Sequence, residues 1–259
     1  MIFDSHAHYN DEAFSEDRDV LLGSMRENGV GYIINACSDW NSVQETLTLM
    51  EKYSFMYGAL GIHPSDIADM DEERFAQIRQ LFKNPKAVAV GEIGLDYYWD
   101  KEEAVQKNQR EWFSRQLLLA GELGRPVVIH SREAAKDTYD VMAASGAKDL
   151  QGVIHCFSYT KEMAREFLKW DYYFGIGGVI TFKNAKKLKE AVEYIPMDRI
   201  LLETDCPYLA PEPNRGKRNS SLNLPYVAQA IADIKGITAA EVVEITCRNA
   251  KQLFSIEAE

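Results

Sequence analysis

The chain is expected to fold as one (β/α)8 TIM barrel, an α/β domain covering residues 1–259. Three observations lead there. The length suits one large domain. Short apolar runs recur along the chain, and stretches with helical period fill most of the gaps. The runner-up, an open doubly wound sheet, should carry G-x-G-x-x-G after its first strand, and this chain has none there.

Strands are expected near residues 1–5, 31–35, 55–60, 87–91, 126–130, 152–155, 172–176 and 199–203. Between the first two, Leu21, Leu22, Met25 and Arg26 read as helix. Phe75, Ile78, Leu81 and Phe82 mark another helix. The clearest runs from Gln109 to Leu123, with Trp112, Phe113, Gln116, Leu117 and Ala120 on one face. Gly175, Ile176, Gly177 and Gly178 lack the following Gly-Lys-Ser/Thr of a phosphate loop and read as a tight strand-to-helix passage. Two helices, about 224–234 and 239–254, close the pattern. No linker, repeat or low-complexity tract interrupts it.

Composition excludes several classes. Apolar content of 46% and charged content of 27% fit a globular protein, and no run of 18 apolar residues suggests a membrane span. The start Met1-Ile2-Phe3-Asp4 has no signal-peptide character. Cys37, Cys156, Cys206 and Cys247 form no Cys-x-x-Cys pair and fit a reducing, cytoplasmic setting, each as a small buried hydrophobe. A net charge of −11 argues against nonspecific coating of nucleic acid, but not against local phosphate recognition through metal ions.

Barrels of this kind do their chemistry at the C-terminal ends of the strands. Strand one ends with His6 and His8, which the two-residue period of a strand points the same way. Strand three ends at His63, strand four at Glu92 and Asp96, strand five at His130 and Arg132, strand six at His155, and strand eight at Asp205. His6, His8, Glu92, His130, His155 and Asp205 form a mixed imidazole and carboxylate set large enough for two divalent ions, with Mg, Mn or Zn all compatible. One ion is assigned to His6, His8 and Asp205 and the other to His130 and His155, with Glu92 spanning both. Ions so placed would acidify a water for attack on an ester. Taken singly, Glu92 also reads as a buried carboxylate satisfied by Arg132 or by backbone amides. Asp205 also reads as a helix N-cap.

These motifs resemble the TatD-type metal-dependent deoxyribonucleases, within the amidohydrolase-like TIM barrels. The resemblance covers nearly the whole chain. It is carried by Asp4-Ser5-His6-Ala7-His8, Gly61-Ile62-His63-Pro64, Gly91-Glu92-Ile93-Gly94-Leu95-Asp96-Tyr97 and Val128-Ile129-His130-Ser131-Arg132-Glu133. Gly152-Val153-Ile154-His155-Cys156-Phe157-Ser158 and Glu203-Thr204-Asp205-Cys206-Pro207-Tyr208-Leu209-Ala210-Pro211 add to it. The resemblance implies a two-metal hydrolase that cuts DNA phosphodiesters, often from a 3′ end, using Mg or Mn. Its implied partner is DNA, single-stranded or at 3′ ends, with no membrane, and the chain is expected to be a monomer or weak oligomer. Ser65, Tyr159 and Ser220-Ser221 depart from the family pattern, which commonly has His, Gly and Glu-Pro there. All lie in expected rim loops and bear on substrate preference.

Around this set, Asp205 is assigned as the base that orients the water and takes its proton. His63 is expected to contact substrate or leaving group, with a purely structural histidine beside Pro64 as the other reading. Arg132 would hold a phosphate, or pair with Glu133 or Asp96. Arg215, Lys217 and Arg218 form a basic loop after strand eight that would face phosphates, or else lie solvated. Lys183, Lys186, Lys187 and Lys189 read as a solvated helix face. Tyr97, Tyr98 and Trp99 would stack on a base or pack over the barrel mouth. Two other functions stay open at this point. One is an amide or ester hydrolase, such as an aminoacyl-tRNA deacylase, since the same ions can polarise a carbonyl. The other is a non-catalytic binding protein on the same barrel, against which the intact ligand set argues.

Overall fold

The computed structural model describes residues 1–257. Its eight strands are β1 (Ile2–Ala7), β2 (Val30–Ala36), β3 (Met56–Leu60), β4 (Ala87–Asp96), β5 (Val127–Arg132), β6 (Gly152–Ile154), β7 (Tyr173–Ile176) and β8 (Ile200–Leu202). They pair in parallel, in chain order, as one eight-stranded sheet. Helices α1 (Arg18–Gly23), α2 (Trp40–Lys52), α3 (Glu72–Leu81), α4 (Glu103–Leu123), α5 (Ala135–Ala144), α6 (Lys161–Leu168) and α7 (Lys186–Tyr194) lie between successive strands, and α8 (Leu224–Lys235) and α9 (Ala239–Phe254) follow β8. This is the expected TIM barrel. Among the described residues, no helix is long and apolar enough to cross a membrane.

The period of each segment explains its burial. In α4, Gln109, Trp112, Phe113, Gln116, Leu117 and Ala120 recur at helical spacing and are all buried against the barrel. Each large apolar side chain so placed contributes about 1.5–3 kcal/mol. Gly124 ends α4 in the left-handed region at φ 61, where a Cβ would be strained. The region around Leu21 differs from expectation: α1 stops at Gly23, and buried Met25 sits in the turn that follows. Residues 24–29 turn back to Val30 rather than extending the helix.

Two apolar layers result. Strand residues such as Ile33, Val90, Ile129 and Ile200 pack on the helices. Their counterparts Phe3, Tyr32, Ile34, Val128, Val153, Tyr173 and Leu201 form a separate cluster with Leu253 and Phe254 from the end of α9 and Ile256 just beyond it. Phe3 stacks on both Tyr32 and Phe254. The C-terminal helix thereby packs its tip against the interior layer.

The seam between β1 and β8 is closed differently from the rest. In place of a regular ladder, there is an isolated bridge between Ala7 and Cys206. Around it, the N–H of Thr204 and of Asp205 donate to the carbonyl of His6, and His8 N–H donates to the carbonyl of Cys206. Asp4 completes the seam. Its buried carboxylate accepts bonds from Thr204 Oγ1 at 2.7 Å, Thr204 N at 3.0 Å, Ser221 Oγ at 2.6 Å and His6 N at 3.3 Å. Burial pushes this carboxyl up to about 7, against the lowering effect of those bonds. The seam brings His6 and His8 from the first strand beside Asp205 from the last.

Candidate metal centre

The β1–β2 pairing shifts register between Asp4 and Ala7, and the β4–β5 pairing shifts between Val90 and Ile93. His6 and Glu92 lie inside those two irregular stretches, a common device for re-aiming a side chain at the rim of a barrel. His6 and His8 do converge, with their Nε2 atoms 3.0 Å apart.

Glu92 is buried at the middle of the site. Its Oε2 lies 3.2 Å from His6 Nε2 and 3.7 Å from His8 Nε2. Its Oε1 lies 2.8 Å from His130 Nδ1, 3.6 Å from His155 Nε2 and 3.8 Å from His63 Nε2. Asp205 Oδ1 approaches His8 at 3.3 Å and both His6 and His155 at 3.7 Å. His6 and His155 stack with ring centroids 3.5 Å apart. Among the described residues, potential ligand atoms fall into four overlapping groups, each within 4.8 Å: His6 with His8 and Asp205, His6 with Glu92 and His155, His63 with Glu92 and His130, and His155 with Cys156 and Asp205. His130 and His155 therefore meet at the same Glu92 oxygen, but they form no compact group of their own. Neither the N-cap reading of Asp205 nor the Arg132 reading of Glu92 describes these contacts.

Hydrogen bonding on the far side of the ring sets the tautomer of three of these histidines. His8 Nδ1 faces the Ala36 carbonyl at 3.0 Å, so Nδ1 carries the proton and the Nε2 lone pair turns inward. His130 Nε2 faces Asp96 Oδ2 at 3.1 Å, which leaves Nδ1 for the centre. His155 Nδ1 lies 3.1 Å from Glu203 Oε1, a charge contact that lacks hydrogen-bond geometry. Outer carboxylates and carbonyls of this kind characteristically orient metal-binding histidines. His63 is the opposite case. Its Nδ1 accepts the Ser65 N–H at 3.2 Å, so its inward Nε2 is a hydrogen-bond donor, not a lone pair.

The chemistry of this donor set fits divalent cations. The inward nitrogens of His8 and His130 face the Asp205 and Glu92 carboxylates, which raise both imidazoles against burial; the arrangement calls for positive charge, supplied by ring protons or by a cation. His6 Nδ1 is buried and has no hydrogen-bond partner, so that ring is held by what its Nε2 meets. Electrostatics agree. Burial alone would lower every imidazole here, yet the charges of Glu203 and Glu92 outweigh it and lift His155 to about 10. Glu92 stays well below the usual carboxylate range despite burial, because His6 and His155 surround it. His63, buried beside His130, falls to about 3 and is neutral.

A cavity of about 770 Å³ opens above the centre, lined by His8, His63, Glu92, His130, Arg132, His155 and Asp205 among others. Arg132 pairs with neither Glu133 nor Asp96; it lies over the Tyr98 ring at 4.0 Å. Arg215, Lys217 and Arg218 do not line the cavity. Arg215 lies over Phe182, and Arg218 is bound through two nitrogens to Asp17. Lys183, Lys186 and Lys187 are exposed and Lys189 is half-buried. Of the departures from the family pattern, Tyr159 bonds Ser131 Oγ and Ser221 bonds Asp4, so both are structural here. The residues that sequence reasoning passed over are Asp4, Asp96 as the partner of His130, and Glu203. A usable signal existed: Asp4 and Glu203 each stand two residues before a candidate ligand, inside or at the end of an apolar strand run.

Comparison with known proteins bears on this site. The family profile described as TatD related DNase matches residues 3–255. The uncharacterized metal-dependent hydrolase YabD of Bacillus subtilis is 43% identical over 99% of this chain and 100% of its own length. The 3′-5′ ssDNA/RNA exonuclease TatD of Erwinia tasmaniensis is 31% identical over 98% of this chain and all of its own. The crystal structure of YJJV, a TatD homologue from Escherichia coli, superposes with a TM-score of 0.91 at 29% identity, covering 99% of this chain and 98% of that one.

Proposed function

This chain belongs to the TatD-related DNase family of metal-dependent hydrolases, and on that premise we propose that it hydrolyses phosphodiester bonds of single-stranded nucleic acid, releasing nucleotides from a 3′ end with two divalent ions per chain. The observation that carries the proposal is the division of Glu92: one oxygen faces His6 and His8, the other faces His130 and His155. A carboxylate shared in this way suits a two-ion site. His6, His8 and Asp205 would hold one ion, His130 and His155 the other, with Glu92 between; Mg, Mn and Zn all suit these donors. The exonuclease named among the relatives supports the substrate class.

The ions, when bound, supply positive charge that acidifies a water and neutralises phosphoryl oxygens. The protein's own groups do the rest. His6, His8 and His155 make their closest approach to Asp205 at Oδ1, which leaves Oδ2 to accept the proton of the attacking water. His63, neutral and with Nε2–H turned inward, donates to a phosphate or leaving-group oxygen. Arg132, at the cavity wall, meets a phosphate as a rigid fork.

The test is metal-stripped protein reloaded with Mg, Mn or Zn and offered end-labelled single-stranded DNA, RNA, aminoacyl-tRNA and a simple carboxyl ester. Stepwise release from the 3′ end, only in metallated protein holding up to two ions, is expected. Turnover confined to aminoacyl or carboxyl esters would replace phosphodiester with acyl chemistry, and full turnover without metal would end the reading.

A further inference from the structure

Two large aromatic rings beside the cavity stand exposed and pack edge to face on each other, with centroids 4.7 Å apart. Trp99 is 67% exposed and Tyr98 44% exposed, whereas neighbouring Tyr97 is half-buried and bonded to Asp137 and Arg110. The turn that carries the two rings is nonetheless fixed. Asp96 Oδ1 accepts the backbone N–H of Tyr98 at 2.9 Å and of Trp99 at 3.2 Å. Oδ2 of the same carboxylate lies 3.1 Å from His130 Nε2. One buried side chain thus locks the aromatic turn to an imidazole of the centre. Arg132 lies 4.0 Å over the Tyr98 ring and 5.6 Å from the Trp99 ring centroid, with no carboxylate paired to it among the described residues. Trp99, Arg132 and His130 line the same cavity.

We propose that this turn is a nucleotide subsite: Trp99 stacks on the base adjoining the scissile phosphate, and Arg132, braced on Tyr98, holds that nucleotide's phosphate. The inference rests on the nuclease reading and narrows it. An indole has few torsions to freeze, and Asp96 already fixes its backbone, so stacking loses little entropy. Every base offers a π-face, so the subsite tolerates sequence. A duplex has its base faces occupied by neighbours, so the subsite favours single strands and strand ends. A guanidinium without a carboxylate partner keeps its N–H groups for phosphate, and its stack on Tyr98 holds it in place.

The test uses Mn-loaded protein and two probes: an oligothymidylate, and the same strand with the bases removed from its two 3′-terminal nucleotides. Trp99→Ala should raise KM for the intact strand about tenfold and leave KM for the abasic strand unchanged. Trp99→Phe, which keeps a ring, should recover most of the loss. Binding should quench tryptophan fluorescence in the wild type and much less in Trp99→Phe. Arg132→Ala should lower the salt slope of binding by about one. Metal content and circular dichroism confirm that each variant is folded. Equal effects of Trp99→Ala on both strands, or none on either, would overturn the subsite and leave the nuclease reading standing. Failure of the wild type to bind or cut any oligonucleotide would overturn both.

Discussion

Asp4 and Thr204 join the first and last strands of the barrel through a hydroxyl-to-carboxylate bond of 2.7 Å. Asp4 stands two residues before His6 and Thr204 directly precedes Asp205, so the contacts that close the barrel also place one candidate ion site. Asp4→Ala would leave the Thr204 and Ser221 hydroxyls buried without their acceptor. Losing a buried carboxylate with this many donors should cost about 2–4 kcal/mol of unfolding free energy. Urea denaturation measures that, and metal titration of the folded variant should show weaker loading. Ser221→Ala removes one donor only and should do less of both. An Asp4→Ala protein with wild-type stability would show that the seam is held by the backbone bonds alone.

Metal loading should depend on pH through His155. Its folded-state value of about 10 lies above the ordinary 6.5, because Glu203 and Glu92 overcome the effect of burial. The metal-free protein therefore holds a proton at neutral pH that the metal-loaded protein cannot hold. Loading must release it, and apparent affinity should rise about tenfold per pH unit for each proton displaced. In the metal-free chain the same shift stabilises the fold below about 6.5, and that contribution disappears as pH rises through about 10. Calorimetry in two buffers of different ionisation enthalpy counts the proton. Glu203→Gln removes the outer charge and should shrink the release at neutral pH. No proton released by the wild type would mean that His155 is already neutral.

The barrel was legible because its signals are local. Alternation of apolar runs with helical periods is written into each segment, and all eight expected strands are present. The convergence of His6, His8, Glu92, His130, His155 and Asp205 was legible because strand ends of a parallel barrel share one rim. What sequence could not carry was the second layer. Whether Nδ1 or Nε2 of an imidazole turns inward depends on Ala36, Asp96, Glu203 and Ser65, whose positions are fixed by tertiary packing. The basic loop shows the same limit: charge is visible in Arg218, but its partner Asp17 is 201 residues away.

That loop yields a graded expectation. Arg218 already meets Asp17, so Arg218→Ala should leave the salt dependence of oligonucleotide binding nearly unchanged. Arg215 and Lys217 are exposed and outside the cavity. If a strand leaving the site passes over them, Arg215→Ala with Lys217→Ala should lower the salt slope by about two. The slope of log Kd against log salt decides it, and an unchanged slope would make the loop a solvated surface.

Asp205 allows the sharpest test of the chemistry. It sits at φ 57, its N–H bonded to the His6 carbonyl and its own carbonyl accepting from Tyr208 N–H, so its backbone is fixed at the seam. Its carboxylate is held below the usual range: burial opposes this, and the His8 contact and the His155 charge outweigh burial. It is therefore ionised at neutral pH, as a proton acceptor must be. Asn at this position keeps the shape and can offer a carbonyl oxygen to an ion, but it cannot take a proton at neutral pH. Asp205→Asn should fold normally and retain the ion proposed for Glu92, His130 and His155. Single-turnover hydrolysis should fall roughly a hundredfold to ten-thousandfold, the range for a lost general base. Glu92→Gln should behave differently, because it weakens both groups of imidazoles at once and should empty both sites. Metal content measured alongside rate separates the two. Near-normal turnover in well-metallated Asp205→Asn would leave Asp205 a dispensable ligand and place the proton acceptor elsewhere on the rim.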